Sequence, residues 1–112
     1  MAITTLDLVI RAMRDRGILG ATEVPTALDA DYVKGVYIAD LEELRDNNIA
    51  YWPEDQVPDA IVRALSHRLG LLIGDAFGFP RASEMEIEAS LRPLRKHLSK
   101  RASGEPVQGC YF

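Results

Sequence analysis

The sequence predicts an all-α fold, a four-helix bundle carrying an extended C-terminal arm, on three observations. Apolar residues recur at intervals of three and four along four separate segments, the period of a helix with one buried face. No segment alternates apolar and polar residues convincingly at the period of two that marks a strand. Each helical segment is bounded by residues that start or stop helices.

The first helix is predicted from Thr5 to Arg16. Thr4 and Asp7 form an acidic variant of the capping box, in which each side chain can satisfy an orphan amide of the first turn. Leu6, Val9, Ile10 and Met13 then share one face, and Gly17 ends the helix. Gly20 and Pro25 hold the loop that follows. The second helix opens at Thr26 or Asp29 and runs to about residue 45. Ala30, Val33, Tyr37, Leu41 and Leu44 make its core stripe, despite the helix cost of Gly35. Asn47 and Asn48 stop it, because asparagine tolerates the left-handed conformation.

Pro58 opens the third helix, where a missing amide costs nothing, and the helix continues to about residue 77. Ile61, Leu65, Leu69, Leu72 and Ala76, widened by Val62 and Ile73, give it the broad apolar face of a central helix. Gly78 and Pro80 terminate it. The fourth helix begins with the SxxE capping box Ser83–Glu86 and carries a narrow seam of Ile87, Leu91, Leu94 and Leu98. Pro93 inside that seam removes one backbone bond, to Ala89, and predicts a kink. Residues 1–102 therefore make the bundle domain. In the arm, residues 103–112, three residues oppose a helix: Gly104, Pro106 and Gly109. Val107, Cys110, Tyr111 and Phe112 are too apolar for a solvated tail, which predicts that they anchor in a groove on another subunit, the alternative being that the arm folds back on its own bundle.

Composition narrows the function classes. A chain of 112 residues with 47% apolar content is one domain. It buries roughly two-thirds of its unfolded surface and needs no staple. Cys110 is the single cysteine, so no internal disulfide can form, which fits a reducing compartment. The segment MAITTLDLVIRAMRDRG reads as neither a signal peptide nor a membrane span. Thirteen basic against 17 acidic residues leave a net charge of −4, which disfavours general binding to a phosphate backbone. Arg92, Arg95, Lys96, Lys100 and Arg101 nonetheless cluster. The plainest reading is that they offset the dipole at the C-terminal end of the fourth helix, the alternative being contact with a phosphate or a partner.

The residues for chemistry are sparse. His67 and His97 have no carboxylate, cysteine or second histidine three or four positions away to share a metal. Cys110 has no neighbour to lower its pKa. The carboxylate pairs Glu42–Glu43 and Glu84–Glu86 lie on polar faces, and GDAFGFP lacks the lysine and hydroxyl of a phosphate loop. Neither an enzyme nor a cofactor or metal site is expected. Interaction surfaces are better represented. Arg63, His67, Gly70 and Gly74 cluster opposite the core stripe of the third helix, where two glycines would let another backbone approach. Tyr32, Val36 and Ala39 form an apolar patch on the second helix. Both sets are candidate contacts between subunits.

The segments DLVIRAMRDRGILG, LEELRDNNIAYW and VPDAIVRALSHRLGLLIGDAFG resemble the head-to-tail adaptors of tailed bacteriophages, also called head completion proteins or tail accessory factors. The likeness is greatest to the packaged-DNA stabilisation type of short-tailed phages. It covers roughly residues 6–98 and fades around residues 20–27 and in the arm. The resemblance implies a virion protein of the head–tail interface, assembled in the host cytoplasm as an oligomeric ring, commonly a dodecamer, beneath the portal protein. It implies that the arm reaches the portal and that tail or nozzle proteins dock opposite. It further implies that packaged DNA passes through the channel without sequence-specific binding, and that no membrane is involved. The short tail of this chain implies a minimal adaptor. A small helical regulatory or nucleic-acid-binding module using the basic fourth helix is the alternative, and a phage-borne peptidoglycan-cleaving enzyme a more remote one.

Overall fold

The computed structural model describes the backbone of residues 2–102 and the side chains of residues 3–100. The fold is all-α. Its helices are α1 (Thr5–Arg16), α2 (Ala27–Asp46), α3 (Val62–Ile73), α4 (Glu84–Ala89) and α5 (Arg92–Ala102). A two-residue antiparallel pairing joins β1 (Ala2–Ile3) to β2 (Val57–Pro58), in the register Ala2 to Pro58 and Ile3 to Val57. The sequence reading contains no counterpart to this pair, because two residues are too few to display an alternation.

The helix boundaries follow their local chemistry. The hydroxyls of Thr4, Thr26 and Ser83 accept the amides of Asp7, Asp29 and Glu86, and Ser83 with Glu86 completes the reciprocal capping box. Thr26, of the two possible openings, is thus the cap of α2. Gly17 and Gly78 close their helices at φ of 89° and 90°, and Asn48 turns the chain at φ of 61°. After α3 the chain tightens into a 3₁₀ turn over Gly74–Phe77.

The helix at the centre of the fold is α3, packed against α1, α2, α4 and α5. Leu8, Val9, Met13, Val33, Tyr37, Leu41, Leu44, Ile61, Leu65, Leu69 and Ile73 make the core, all nearly solvent-free. The stripe of α2 is as expected apart from Ala30, which is half-buried. Of the predicted stripe of α3, Leu72 is half-buried, and Ala76 is exposed because it lies in the 3₁₀ turn that follows the helix. The stripe of α1 differs more. Leu6 is 56% exposed and Ile10 half-buried, while Thr5, Leu8 and Ala12 are buried beside Val9 and Met13. The face is chosen by how closely α1 approaches α3, and a small Ala12 permits an approach that apolar periodicity does not register.

The predicted fourth helix is two helices. Pro93 is the second residue of α5, a first-turn position where its missing amide is tolerated. The chain breaks at Ser90 and Leu91 instead of bending through them. Arg68 of α3 sits in that break, donating from one guanidinium nitrogen to the Ile87 carbonyl at 3.0 Å and to Ser90 Oγ at 2.8 Å. Its other nitrogens make a bidentate pair with Asp40 of α2 at 3.0 and 2.8 Å. One buried cation thereby holds α2, α3 and the end of α4 together. The break also revises the meaning of the basic cluster. Arg92 and Arg95 lie in the first turn of α5, where the positive end of the dipole opposes them, so dipole compensation does not account for them.

The connection between α2 and α3 is fastened by aromatic residues. Trp52 donates its indole N–H to the Tyr37 hydroxyl at 3.0 Å, and Arg45 donates to the Trp52 carbonyl at 2.8 Å. Tyr51 stacks on His97 of α5, with its hydroxyl 2.8 Å from Nε2. At the other end of this connection, Asp55 accepts the amide of Thr5 at 2.8 Å and the Glu54 carbonyl accepts the Thr5 hydroxyl.

The bond from the Thr5 amide, foremost, lowers the Asp55 pKa. A carboxylate whose folded value is depressed stabilises the fold fully above its unfolded value, about 3.9, and loses that contribution as pH falls through the folded value. Acidification should therefore release the Thr5 amide before the core opens, seen as faster hydrogen exchange at Thr5 than at Leu65. Asp55→Asn should abolish that pH dependence; an unchanged profile would show that Asp55 is not the group responsible.

Candidate protein-interaction surfaces

The two interaction clusters expected from the sequence meet different fates. Gly70 and Gly74 do not face outward; both are buried inside the chain, under α1. A Cβ at Gly70 would stand 3.3 Å from the Ala12 carbonyl oxygen and 3.3 Å from Arg16 Cβ, and one at Gly74 only 2.6 Å from Arg16 Nε. The glycines do admit a second backbone, but it belongs to the same molecule. The side chain of Arg16 lies across them, donates to the Pro80 carbonyl at 3.1 Å and places its guanidinium over the Phe79 ring at 5.3 Å. Arg63 and His67 are exposed beside the same α1–α3 seam. His67 Nδ1 lies 3.7 Å from an Asp15 carboxylate oxygen, and Arg63 lines a shallow polar cleft with Arg11, Asp15 and Asp59. The expectation of an outward glycine face is corrected. Periodicity placed these residues opposite the core stripe, but α3 is enclosed on more than one side, so its second face is interior too.

The α2 patch does lie at the surface. Tyr32 is 46% exposed, Val36 half-buried against the core and Ala39 exposed. The structure extends the patch with two residues that the sequence reading did not assign to it. Leu28 is 82% exposed and Gly35 has open space where a Cβ would point. Leu28, Tyr32, Gly35 and Ala39 follow at spacings of four, three and four, which puts them on one face, away from the buried Val33, Tyr37, Leu41 and Leu44. The stripe is 4-3-4 in the sequence and could have been found there by searching α2 for a second apolar period. Phe77, edge-on to Tyr32 with ring centroids 6.1 Å apart, widens it toward α3. Beyond Ala39 the face becomes acidic, with Glu42, Glu43 and Asp46 all exposed.

A second surface surrounds the break between α4 and α5. An open hollow there is lined by Glu84, Met85, Glu88, Ala89, Arg92 and Arg95, mostly through apolar atoms. Met85 is 81% exposed. Arg92, Arg95 and Lys96 are exposed on its α5 side. The hollow exists because the helix breaks, so it was not legible while residues 83–102 read as one kinked rod.

No family model matches the chain, and no similar curated protein or solved structure was found. Among the described residues no group of three or more histidine, cysteine, aspartate or glutamate side chains is placed to hold a metal. No helix among them is long and apolar enough to cross a membrane. His97 is engaged by Tyr51, and His67 lies on open surface beside Asp15. Val107, Cys110, Tyr111 and Phe112, the predicted anchors of the arm, lie outside the described residues.

Proposed function

We propose that this chain is a non-catalytic structural adaptor of the phage head-to-tail type, which assembles as a ring beneath a portal and bridges it to the tail. The observation that carries the reading is the outward face of α2. An apolar row that includes Leu28, at 82% exposure, and Tyr32 runs along a helix whose other side is already satisfied by a core. An exposed apolar row of this kind is a candidate protein-binding surface. The resemblance of the sequence to head-to-tail adaptors supplies the kind of partner. In this reading the arm, through Val107, Cys110, Tyr111 and Phe112, reaches the portal, and tail or nozzle proteins take the opposite side. DNA slides past without sequence-specific contact, helped by the acidic net charge.

The test is to mix the full chain with portal rings of the same virus and image the particles by electron microscopy. A ring of added density beneath the portal is expected. Deleting residues 103–112 should abolish it while leaving thermal unfolding unchanged, since aromatic anchors commonly dominate interface energetics. Full binding by the truncated chain would remove the arm from the portal contact, and no binding by the intact chain would overturn the adaptor reading.

The exposed Arg92, Arg95 and Lys96 at the start of α5, which the helix dipole disfavours, support a second reading as a nucleic-acid-binding module. That reading expects binding to short duplex DNA that weakens steeply with salt and is lost in Arg92→Glu/Arg95→Glu. The adaptor reading expects no such binding at physiological salt.

A further inference from the structure

We infer that residues 79–90 form a strap that lifts from α3 and unwinds as one unit while the rest of the bundle stays folded, with Arg68 as its latch. The first ground is how little of the strap is buried. None of the six side chains of α4 is buried, Ile87 is half-buried, and of the residues leading into the helix only the small Ala82 is buried. By contrast α1, α2 and α3 each bury five residues or more. An element with few buried apolar contacts can open at a free energy below that of the whole domain.

The second ground is that the fastenings are polar and sit at the two ends. At the start, Arg16 of α1 donates to the Pro80 carbonyl at 3.1 Å and covers the Phe79 ring. At the far end, Arg68 of α3 donates to the Ile87 carbonyl and to Ser90 Oγ. Between strap and α3 lies a cleft of about 240 Å³, with Ala64, His67 and Leu71 on one wall and Glu86, Ala89 and Ser90 on the other.

The ends also supply pivots. Gly78 stands before the strap at φ of 90° with open space around it, and the helix break at Ser90 and Leu91 follows. Arg68 keeps its bidentate pair with Asp40 when the strap leaves, so the latch stays seated in the core. A detached helix of six residues does not persist, because so few backbone bonds cannot offset its nucleation. Its amides therefore open together. Lifting uncovers Leu71, only 7% exposed when the strap is closed, beside Ala64 and His67 on α3. This motion belongs to the free chain and is independent of the adaptor reading.

Hydrogen exchange of the full chain in graded, sub-denaturing urea tests it. The amides of Ile87 and Ser90, bonded to the Ser83 and Glu86 carbonyls, should share one opening constant. It should exceed that of Leu65 and Leu69 in α3 by at least roughly a hundredfold and rise less steeply with urea. Ser90→Ala, which removes one acceptor of the latch, should raise it about tenfold. Val9→Ala, in the core between α1 and α2, should speed exchange at Leu65 and Leu69 and leave Ile87 and Ser90 unchanged.

The idea is overturned if Ile87 and Ser90 follow the same urea dependence as Leu65, or if the two open with unrelated constants. Acceleration of Ile87 by Val9→Ala would overturn it too, as would an unchanged constant in Ser90→Ala. The urea series needs only the wild type, so it decides the matter even if a variant does not fold.

Discussion

Arg68→Met should lower the stability of the domain by about 3–5 kcal/mol, because it leaves the Asp40 carboxylate buried without its cation. Arg68 and Asp40 are only 5% and 9% exposed, so water cannot replace the missing partner. Against a total of roughly 5–15 kcal/mol for a small domain, the loss should be conspicuous in urea unfolding. The double variant Asp40→Leu/Arg68→Met should regain most of it, since an apolar pair of similar volume avoids the desolvation of two ions. Recovery should stop short of wild type by about 1 kcal/mol for each hydrogen bond that Arg68 makes to the end of α4, at Ile87 and Ser90. A single-variant loss below about 1 kcal/mol would mean that the pair behaves as an exposed one and does not join α2, α3 and α4.

Gly70→Glu should be of comparable size, about 3–5 kcal/mol, by a different mechanism. The new side chain would enter the crossing of α1 and α3, where its Cβ alone would already stand 3.3 Å from the Ala12 carbonyl oxygen and from Arg16 Cβ and the rest of the side chain has to displace them further. It would also bury a charge facing a carbonyl oxygen, so overpacking and desolvation add. Thermal unfolding should shift down by well over 10 °C at the usual conversion of about 4–8 °C per kcal/mol for a domain near this size. Leu28→Glu, on the outward face of α2, is the control and should leave the midpoint within experimental error. If instead Gly70→Glu kept the wild-type midpoint and lost only assembly, the glycine face would be an intermolecular contact and the α1–α3 packing described above would be wrong.

This contrast shows where sequence reasoning reached. Most helix ends were legible because their causes are local, the third helix being an exception, since Pro58 pairs in β2 and a 3₁₀ turn over Asp59–Ile61 precedes Val62, where α3 starts. A hydroxyl at Thr4 or Ser83 needs only the amide three residues on, and Gly17 or Asn48 needs only its own backbone torsions. The class of the fold and the buried row of α2 were legible as well, because a helix with one core face writes that face as a period. The predicted kink at Pro93 pointed to the right place, though proline chemistry alone could not say whether the chain would bend or break.

What the tertiary structure decided is everything that depends on a second element. Asp40 and Arg68 stand 28 positions apart with no local pattern that links them, and only folding closes them into one buried pair. Ala12, Gly70 and Gly74 carry too little apolar surface to weigh in a periodic pattern, yet their smallness sets how near α1 lies to α3 and thereby which face of α1 is inside. The outward row on α2 lies between these cases. Its spacing is written in the chain, but its exposure is not, since an apolar row counts as a surface only after every neighbouring element has packed elsewhere.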